Sequence, residues 1–347
     1  MKETPERLLV PSDVLETSLQ RFDTLLSDAR ISYSTTTAID VSVTPSFQLH
    51  FIIAQSLSHK PALHTSGAAS SANPFLNPDP SFVITDIGAC HRLLVNKFCV
   101  YRPHLLIATK DLQPQSDDLD VQDLIACWEV LCQLNRGAAS RQEAMERSEG
   151  TAANVEAKEF MAIYNCGLAS GNSQPHKHMQ IFPRPRAEEL TLFPDARHVQ
   201  GAVDQAIQAA AAAEEEEEEE EGEEMPGTAN AKSVPFKQFF LPLSSHASCE
   251  ELTKAHAKLL ECTGDTLQAA GVQGKPSYNV VLTKDWMLLI PRRFAGRDGL
   301  NANGAGMAGV VWVSRESEVK RWEDFGMEDH LAFMGVPQDS AAPQVQA

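Results

Sequence analysis

The chain has 347 residues, 43% of them hydrophobic and 22% charged, which suits one large globular domain or two ordinary ones with a sizeable core. Its formal charge is −18, but ten negatives sit on Glu214 to Glu221, Glu223 and Glu224, which leaves −8 for the remainder. That balance excludes wholesale binding of duplex nucleic acid or of an anionic membrane. It still allows a small polyanion held by a local pocket of donors.

In chain order, Leu15, Leu19, Phe22 and Leu26 recur at helical spacing behind Ser12 and Asp13, which can cap a helix. Phe47 to Ile53 reads as a strand, and residues 61–80, rich in Pro, Gly, Ser and Asn, as a surface loop. Arg92–Asn96 and His104–Thr109 are two apolar runs broken at Arg102-Pro103, a pair of strands. Val121 to Leu134 is helical, with Leu124, Trp128, Leu131 and Leu134 on one face. Phe160–Tyr164 and His178–Phe182 are strands joined by the Gly/Ser/Asn/Gln loop from Cys166 to Pro175. The Ala and Glu runs that follow are low-complexity sequence, whose packed carboxylates repel one another and keep the segment solvated. Glu250 to Ala270 reads as a helix ended by Gly271. Tyr278–Leu282 and Trp286–Ile290 flank Thr283-Lys284-Asp285 as a hairpin. Gly309–Val313 is a further strand, and a helix follows from about Ser317.

Hairpins and helices without regular strand–helix alternation indicate α+β. Neither G-x-G-x-x-G nor a Walker A loop occurs. The seven cysteines are odd in number and form no Cys-x-x-Cys pair, so they read as free thiols rather than as a disulfide framework or a zinc site. The charged start MKETPERLLV and the lack of a long apolar run point to a soluble protein, with the cytoplasm as the default compartment and the nucleus open.

The chemistry concentrates in Tyr164 to Phe182. Alternate residues of a strand share a face, so His176, His178 and Gln180 point one way while Met179 and Ile181 pack into the core. Lys177 points the other way and is expected in solvent or on the far side of the sheet. Three polar groups on one face are costly to bury without a partner, and a ligand is the natural one. From the residues alone three readings stand open. His176 and His178 can be a metal pair, which needs further ligands that no spacing supplies. They can be a purely structural pair. Or His178 can attack phosphorus through one ring nitrogen, its other nitrogen donating to a backbone carbonyl that fixes the tautomer. In that reading His176 orients the site, Gln180 donates to a phosphoryl oxygen, and the amides of Gly171, Asn172, Ser173 and Gln174 form an anion-binding nest.

The stretch Asn165, Gly167, Ser170-Gly171 and Ser173-Gln174-Pro175-His176-Lys177-His178-Met179-Gln180 resembles the active-site signature of the diadenosine tetraphosphate phosphorylases, or ATP adenylyltransferases, of the histidine-triad superfamily. Asn73-Pro74-Phe75, Leu94 to Phe98, His104 to Ile107, Pro235-Phe236, Tyr278-Asn279, Leu282 to Met287 and Pro291-Arg292 resemble that family in the same order. The resemblance implies antiparallel histidine-triad-like sheets with flanking helices in two pseudo-symmetric halves: residues 1–205, an acidic linker at 206–232, and residues 233–340. It implies phosphorolysis of diadenosine tetraphosphate to ATP and ADP through a nucleotidyl group on His178, with ADP or adenosine 5′-phosphosulfate as further possible substrates. It places Lys60, Asn96, Lys97, Asn165, Gly171 to Gln174, Gln180 and Lys284 against the nucleotide. It implies a divalent cation, magnesium, carried on the polyphosphate, with no metal site of the protein's own. The partners implied are nucleotides and phosphate, with the chain a monomer or a homodimer.

Leu168 and Asn172 depart from the family pattern, which has a proline and a small residue there. Three rival readings remain: a hexose-1-phosphate uridylyltransferase-like enzyme, a dinucleoside polyphosphate hydrolase, whose motif runs to a third histidine where this chain has Gln180, and a non-catalytic nucleotide sensor. Without the resemblance, Lys97 reads as a surface lysine. His104 reads as a packed strand-start histidine, Trp286 and Met287 as core, Asp285 as a turn residue, and His59, His91 and His246 as structural or exposed.

Overall fold

The computed structural model describes residues 8–59, 73–148, 159–195 and 234–338. Lys60 and the acidic segment lie outside these residues. The chain opens with α1 (Val14–Ser27), then β1 (Thr37–Thr44), β2 (Phe47–Ile53), β3 (Val83–Ile87), β4 (His91–Val95), β5 (Leu105–Thr109), α2 (Val121–Ser148), β6 (Phe160–Cys166) and β7 (His178–Pro183). After the acidic segment come β8 (Phe239–Pro242), α3 (Cys249–Ala269), β9 (Ser277–Leu282), β10 (Trp286–Arg292) and a small pair, β11 (Gly296–Arg297) and β12 (Leu300–Asn301). The short α4 (Gly304–Met307), β13 (Val310–Val313), α5 (Glu316–Phe325) and α6 (Met327–Met334) complete the order.

Eight strands form one sheet in the order β3-β4-β5-β7-β6-β9-β10-β8, antiparallel throughout. The seam between the parts before and after the acidic segment is the β6–β9 ladder, where Asn165 stands opposite Asn279. The sheet is therefore continuous across both. A second sheet, β1-β2-β13, pairs β13 parallel to β2.

Alternation explains why β6 is buried along its whole length. Ala162 and Tyr164 face the core under α1, α2 and α3, with Met179 and Ile181 of β7 beside them. Met161 and Ile163 face the opposite core, against Leu49 and Phe51 of the small sheet and Trp322 of α5. Each such side chain taken from water contributes about 1.5–3 kcal/mol, so the sheet is held from both faces.

Local signals account for some helix ends. Ser248 and Glu251 form a reciprocal capping box at the start of α3, which supplies two backbone donors with partners, and Gly271 beyond its end adopts φ +71°. The N-cap Asp13 of α1 makes no side-chain capping bond, and Leu25 rather than Leu26 completes the buried face. Helix α2 runs on past Leu134 to Ser148, because Ala, Arg, Gln and Glu sustain helix after the apolar stripe ends. Trp286 and Met287 are core as expected, and Asp285 sits in the turn, its backbone N–H donating to Thr283 Oγ1 at 3.2 Å.

Two buried histidines give the fold an acid sensitivity. His256 of α3 is 4% exposed, with no hydrogen-bond partner at Nε2. His330 of α6 is fully buried against Trp322. Burial pulls each down to about 4 from an ordinary 6.5. Both are neutral in the fold, while the unfolded chain takes up their protons below 6.5. Their contribution to stability is thus complete above pH 6.5 and is lost as pH falls towards 4, by up to about 3 kcal/mol each. The difference in unfolding free energy between pH 7 and pH 4 should shrink in a His256→Leu variant. An unchanged difference would remove His256 from this account.

Candidate active site

Register carries the site. Leu106 lies opposite Gln180 and Ala108 opposite His178 across the β5–β7 ladder. These residues share the face away from α1, α2 and α3, where Leu94, Leu106, Ala108 and Phe75 form a small apolar cluster. The ring of Phe75 lies 5.1 Å from that of His178 and 5.6 Å from that of His176. The two histidines are 6% and 1% exposed.

Each imidazole has a defined tautomer. His178 Nδ1–H donates to the carbonyl oxygen of His176 at 2.8 Å, which leaves the ring's lone pair on Nε2. His176 Nε2–H is shared by the carbonyl and hydroxyl of Thr109, both at 2.8 Å, the hydroxyl itself donating to Asp111 O. Its Nδ1 accepts from the Asn73 amide at 2.9 Å. Burial holds His176 below the ordinary imidazole range, so it is neutral at neutral pH. His104 Nε2–H donates to Gln180 Oε1 at 3.0 Å, and its Nδ1 accepts from Val100 N–H. That bond fixes the amide of Gln180 with its NH2 group away from His104.

Gln115, which the sequence gives no reason to single out, grips the strand that carries His178. Past the last β6–β7 pair the strands separate, and the buried Gln115 side chain takes the place of a neighbour. Its oxygen accepts from His178 N–H at 2.7 Å, and its NH2 donates to His178 O and Asn165 O at 3.1 and 3.0 Å. Asn73, Phe75 and His104 lie in blocks that carry the family resemblance, but only the fold shows what each one touches.

The loop before His176 is built from inside. Gly167 and Gly171 adopt φ +77° and +80°, and a Cβ on Gly171 would stand 2.6 Å from Ala302 O, so only glycine fits there. Ser170 Oγ and the Asn172 amide both donate to Gly167 O, at 2.6 and 2.7 Å. Asn172 is thus a loop staple. Leu168, the other departure, is 85% exposed. Ser173 and Gln174 are half-buried. Asn165 is buried in the seam, its Oδ1 accepting from Asn279 Nδ2 and Gly304 N–H at 2.8 and 2.9 Å. Behind the loop Arg292, fully buried, donates to the carbonyls of Ser170, Phe294, Ala295, Ala302 and Met334 and to Asn279 Oδ1. Burial lowers it to about 9, so it is still a cation at neutral pH.

Asn96 and Lys97 follow β4 at the Gln180 end. Asn96 N–H donates to His104 O, Asn96 Oδ1 accepts from Phe98 N–H, and Lys97 is exposed beside the Phe98 ring. Lys284 is not brought to this site. It pairs with Glu159 at 2.8 Å in the turn between β9 and β10, beyond the end of β9 that lies away from Asn279. Lys177 lies on the far face as alternation requires, but it is 3% exposed and not in solvent. His91 is structural, bonded to Asp123 at 2.7 Å, and His246 is exposed. The side chain of His59 lies outside the described residues.

A histidine with its lone pair directed to Nε2, a neutral second histidine, an oriented glutamine and a glycine loop over a buried cation stand together on one antiparallel sheet, and the relatives of the chain are nucleotidyltransferases. The profile of the Ap4A phosphorylase N-terminal domain matches residues 31–138 and 140–200, and that of the ATP adenylyltransferase C-terminal domain matches residues 232–337. The chain belongs to the Ap4A phosphorylase family. It is 28% identical over 296 residues to diadenosine 5′,5′′′-P1,P4-tetraphosphate phosphorylase 2 of Saccharomyces cerevisiae, covering 80% of this chain and 79% of that one. It is 26% identical over 336 residues to Protein APA1 of the same yeast, covering 89% of each. The crystal structure of yeast Ap4A phosphorylase Apa2 in complex with Ap4A superposes with a TM-score of 0.70 at 24% identity, over 95% of this chain and 99% of that one. That likeness establishes the shared fold.

Proposed function

We propose that the chain phosphorolyses diadenosine tetraphosphate with inorganic phosphate to ATP and ADP, reversibly, with His178 as the nucleophile. The observation that carries this reading is the bond from His178 Nδ1–H to His176 O, because it puts the attacking lone pair on Nε2. Nε2 attacks the phosphorus next to one adenosine, and an N–P bond forms as the bridging P–O bond breaks. ATP leaves with that electron pair. The imidazolium charge is spread toward Nδ1–H and the carbonyl it meets. A phosphate oxygen then attacks the same phosphorus, ADP forms, the lone pair returns to Nε2 and the phosphate proton passes to solvent. Splitting the transfer in two is what a covalent intermediate offers.

In this reading the NH2 of Gln180, the Gly171 to Gln174 amides, and Asn96 with Lys97 serve as donors to the transferring group. Asn165 and Arg292 act through the loop they hold. Lys60 belongs to this reading by family position. Lys284 does not belong, given where it lies. Among the described residues no group of three or more His, Cys, Asp or Glu side chains is placed to hold a metal ion. Magnesium enters this reading as a companion of the tetraphosphate. ADP and adenosine 5′-phosphosulfate fit the same adenylyl half-site. No helix of the described residues is long and apolar enough to cross a membrane, and the reading places the enzyme in the cytoplasm.

Incubation with diadenosine tetraphosphate and magnesium, with and without phosphate, tests it by chromatography. Equal ATP and ADP, formed only with phosphate, is the expected result. ATP and AMP formed without phosphate would make the chain a hydrolase. Tight nucleotide binding without turnover would make it a sensor.

A further inference from the structure

Directly behind the two histidines lies a buried ionic cluster that the reaction above does not use. Lys177 Nζ is 2.8 Å from Asp123 Oδ2 and donates to Asp118 O at 2.9 Å. Asp123 Oδ1 accepts from His91 Nε2 at 2.7 Å, and Oδ2 also accepts from Asp120 N–H at 2.9 Å. The Lys177 and Asp123 side chains are 3% and 1% exposed. Burial works against the charge on Asp123, yet hydrogen bonds from His91 and Lys177 hold its carboxyl below the usual range. A buried ion pair is a weak source of stability, since desolvation offsets most of its attraction. What it supplies here is a fixed position.

The backbone shows what is fixed. The peptide joining His176 to Lys177 has its N–H on Gln113 O at 2.7 Å, while its carbonyl oxygen accepts the Nδ1–H of His178. The next carbonyl, of Lys177, accepts from Thr109 N–H at 3.2 Å. This segment precedes the regular β6–β7 ladder and is held instead by the 113–115 segment, through an antiparallel bridge between Pro114 and His176 and the bond from Gln115 N–H to Pro175 O at 2.7 Å. The Lys177 ammonium ties it to the first turn of α2 through Asp123, and to the 113–118 segment through Asp118. Released from the carbonyl, the His178 ring would redistribute between tautomers, and the Nε2–H form carries no lone pair at the attacking nitrogen.

We propose that Lys177, paired with Asp123, is a positioning residue that sets the His176–Lys177 peptide and through it the reactive tautomer of His178. This rests on His178 being the nucleophile. The double variant Lys177→Met with Asp123→Asn removes both charges while keeping similar bulk, and Asp123→Asn alone keeps the ammonium bond to Asp118.

In the double variant kcat for phosphorolysis should fall about 10- to 100-fold with KM changed less than about threefold, the signature of a misoriented reacting group. Asp123→Asn alone should fall less. The ring 15N spectrum of the ligand-free protein, with His178 assigned by its loss in His178→Ala, should show Nδ1–H in the wild type and a tautomer mixture in the double variant. An unchanged tautomer with kcat within about twofold of wild type, at a lowered melting temperature, would overturn the proposal and leave Lys177 as packing alone. Should the double variant not fold, Asp123→Asn decides by the same two readouts. If the wild type does not turn over diadenosine tetraphosphate, the proposed reaction fails, and the ring spectra still decide the role of Lys177.

Discussion

His178→Ala should lower the rate of diadenosine tetraphosphate phosphorolysis by at least about ten-thousand-fold, with little change in nucleotide affinity. Among the described residues the imidazole is the group on this face whose lone pair is both directed and nucleophilic. The second ring, His176, has its two nitrogens committed to Thr109 and Asn73, and the amide of Gln180 is neither a base nor a nucleophile near neutral pH. Truncation removes one bond to a neighbouring carbonyl and one face against Phe75, so the variant should fold and melt close to wild type. Mass spectrometry of wild type exposed to substrate without phosphate should show one added adenylyl group, absent in the variant. Turnover above about 1% in a well-folded variant would mean that phosphate attacks the dinucleotide directly, and the covalent route would fall.

How far the site could be read in advance follows from which interactions are local. Alternation along His176 to Gln180 placed two histidines and a glutamine on one face, because a strand's period is set by its own backbone. That His178 would donate to a backbone carbonyl was one of the readings open from the residues; that the acceptor is His176 O, two residues back, is seen only in the fold. Gln115 was not legible. It acts from a loop with no periodicity, 63 residues from His178, and only the sheet brings the two together.

Lys177 lies on the far side of the sheet, one of the two places expected for it, but its partner there was not legible. Alternation gives the side a residue faces but not what covers that side, and here α2 brings Asp123 over it. Lys284 misled because sequence does not show how far along a strand a hairpin turn lies from the reacting level. In the fold as a whole, apolar runs marked the buried strands. β1 escaped because its residues are mostly exposed or half-buried on an edge.

Arg292→Met should produce the largest loss of stability of any single change near the site. The guanidinium lies between the Ser170–Gly171 turn, the 294–302 segment and the end of α6, and it donates to five carbonyl oxygens and to Asn279 Oδ1 at 2.5 Å. No carboxylate pairs with it among the described residues, so its role is to supply donors: the carbonyls of Ser170, Ala295 and Met334 also accept from Asn279 Nδ2, Ala302 N–H and the N–H groups of Arg293 and Phe294, while those of Phe294 and Ala302, with Asn279 Oδ1, lean on it most. A methionine fills the space and supplies none. Each buried acceptor left unpaired costs about 1–3 kcal/mol, with part of the total recovered as the loops relax. A net loss of about 3–5 kcal/mol is expected, or roughly 10 °C in melting temperature for a chain of this size.

The same change should reach the chemistry through Ser170, because the turn at Gly171 touches Ala302 and both lean on this one side chain. Substrate affinity should weaken even in variant protein that remains folded. Arg292→Lys separates geometry from charge. An ammonium keeps the cation beneath the loop but has three donors on a point, where the guanidinium spreads five across a plane. The lysine variant should therefore recover less than about half of the lost stability. A methionine variant within about 1 kcal/mol of wild type by denaturant unfolding would show that the loops hold without it. Full rescue by lysine would show that charge, rather than the planar array of donors, is what the site requires.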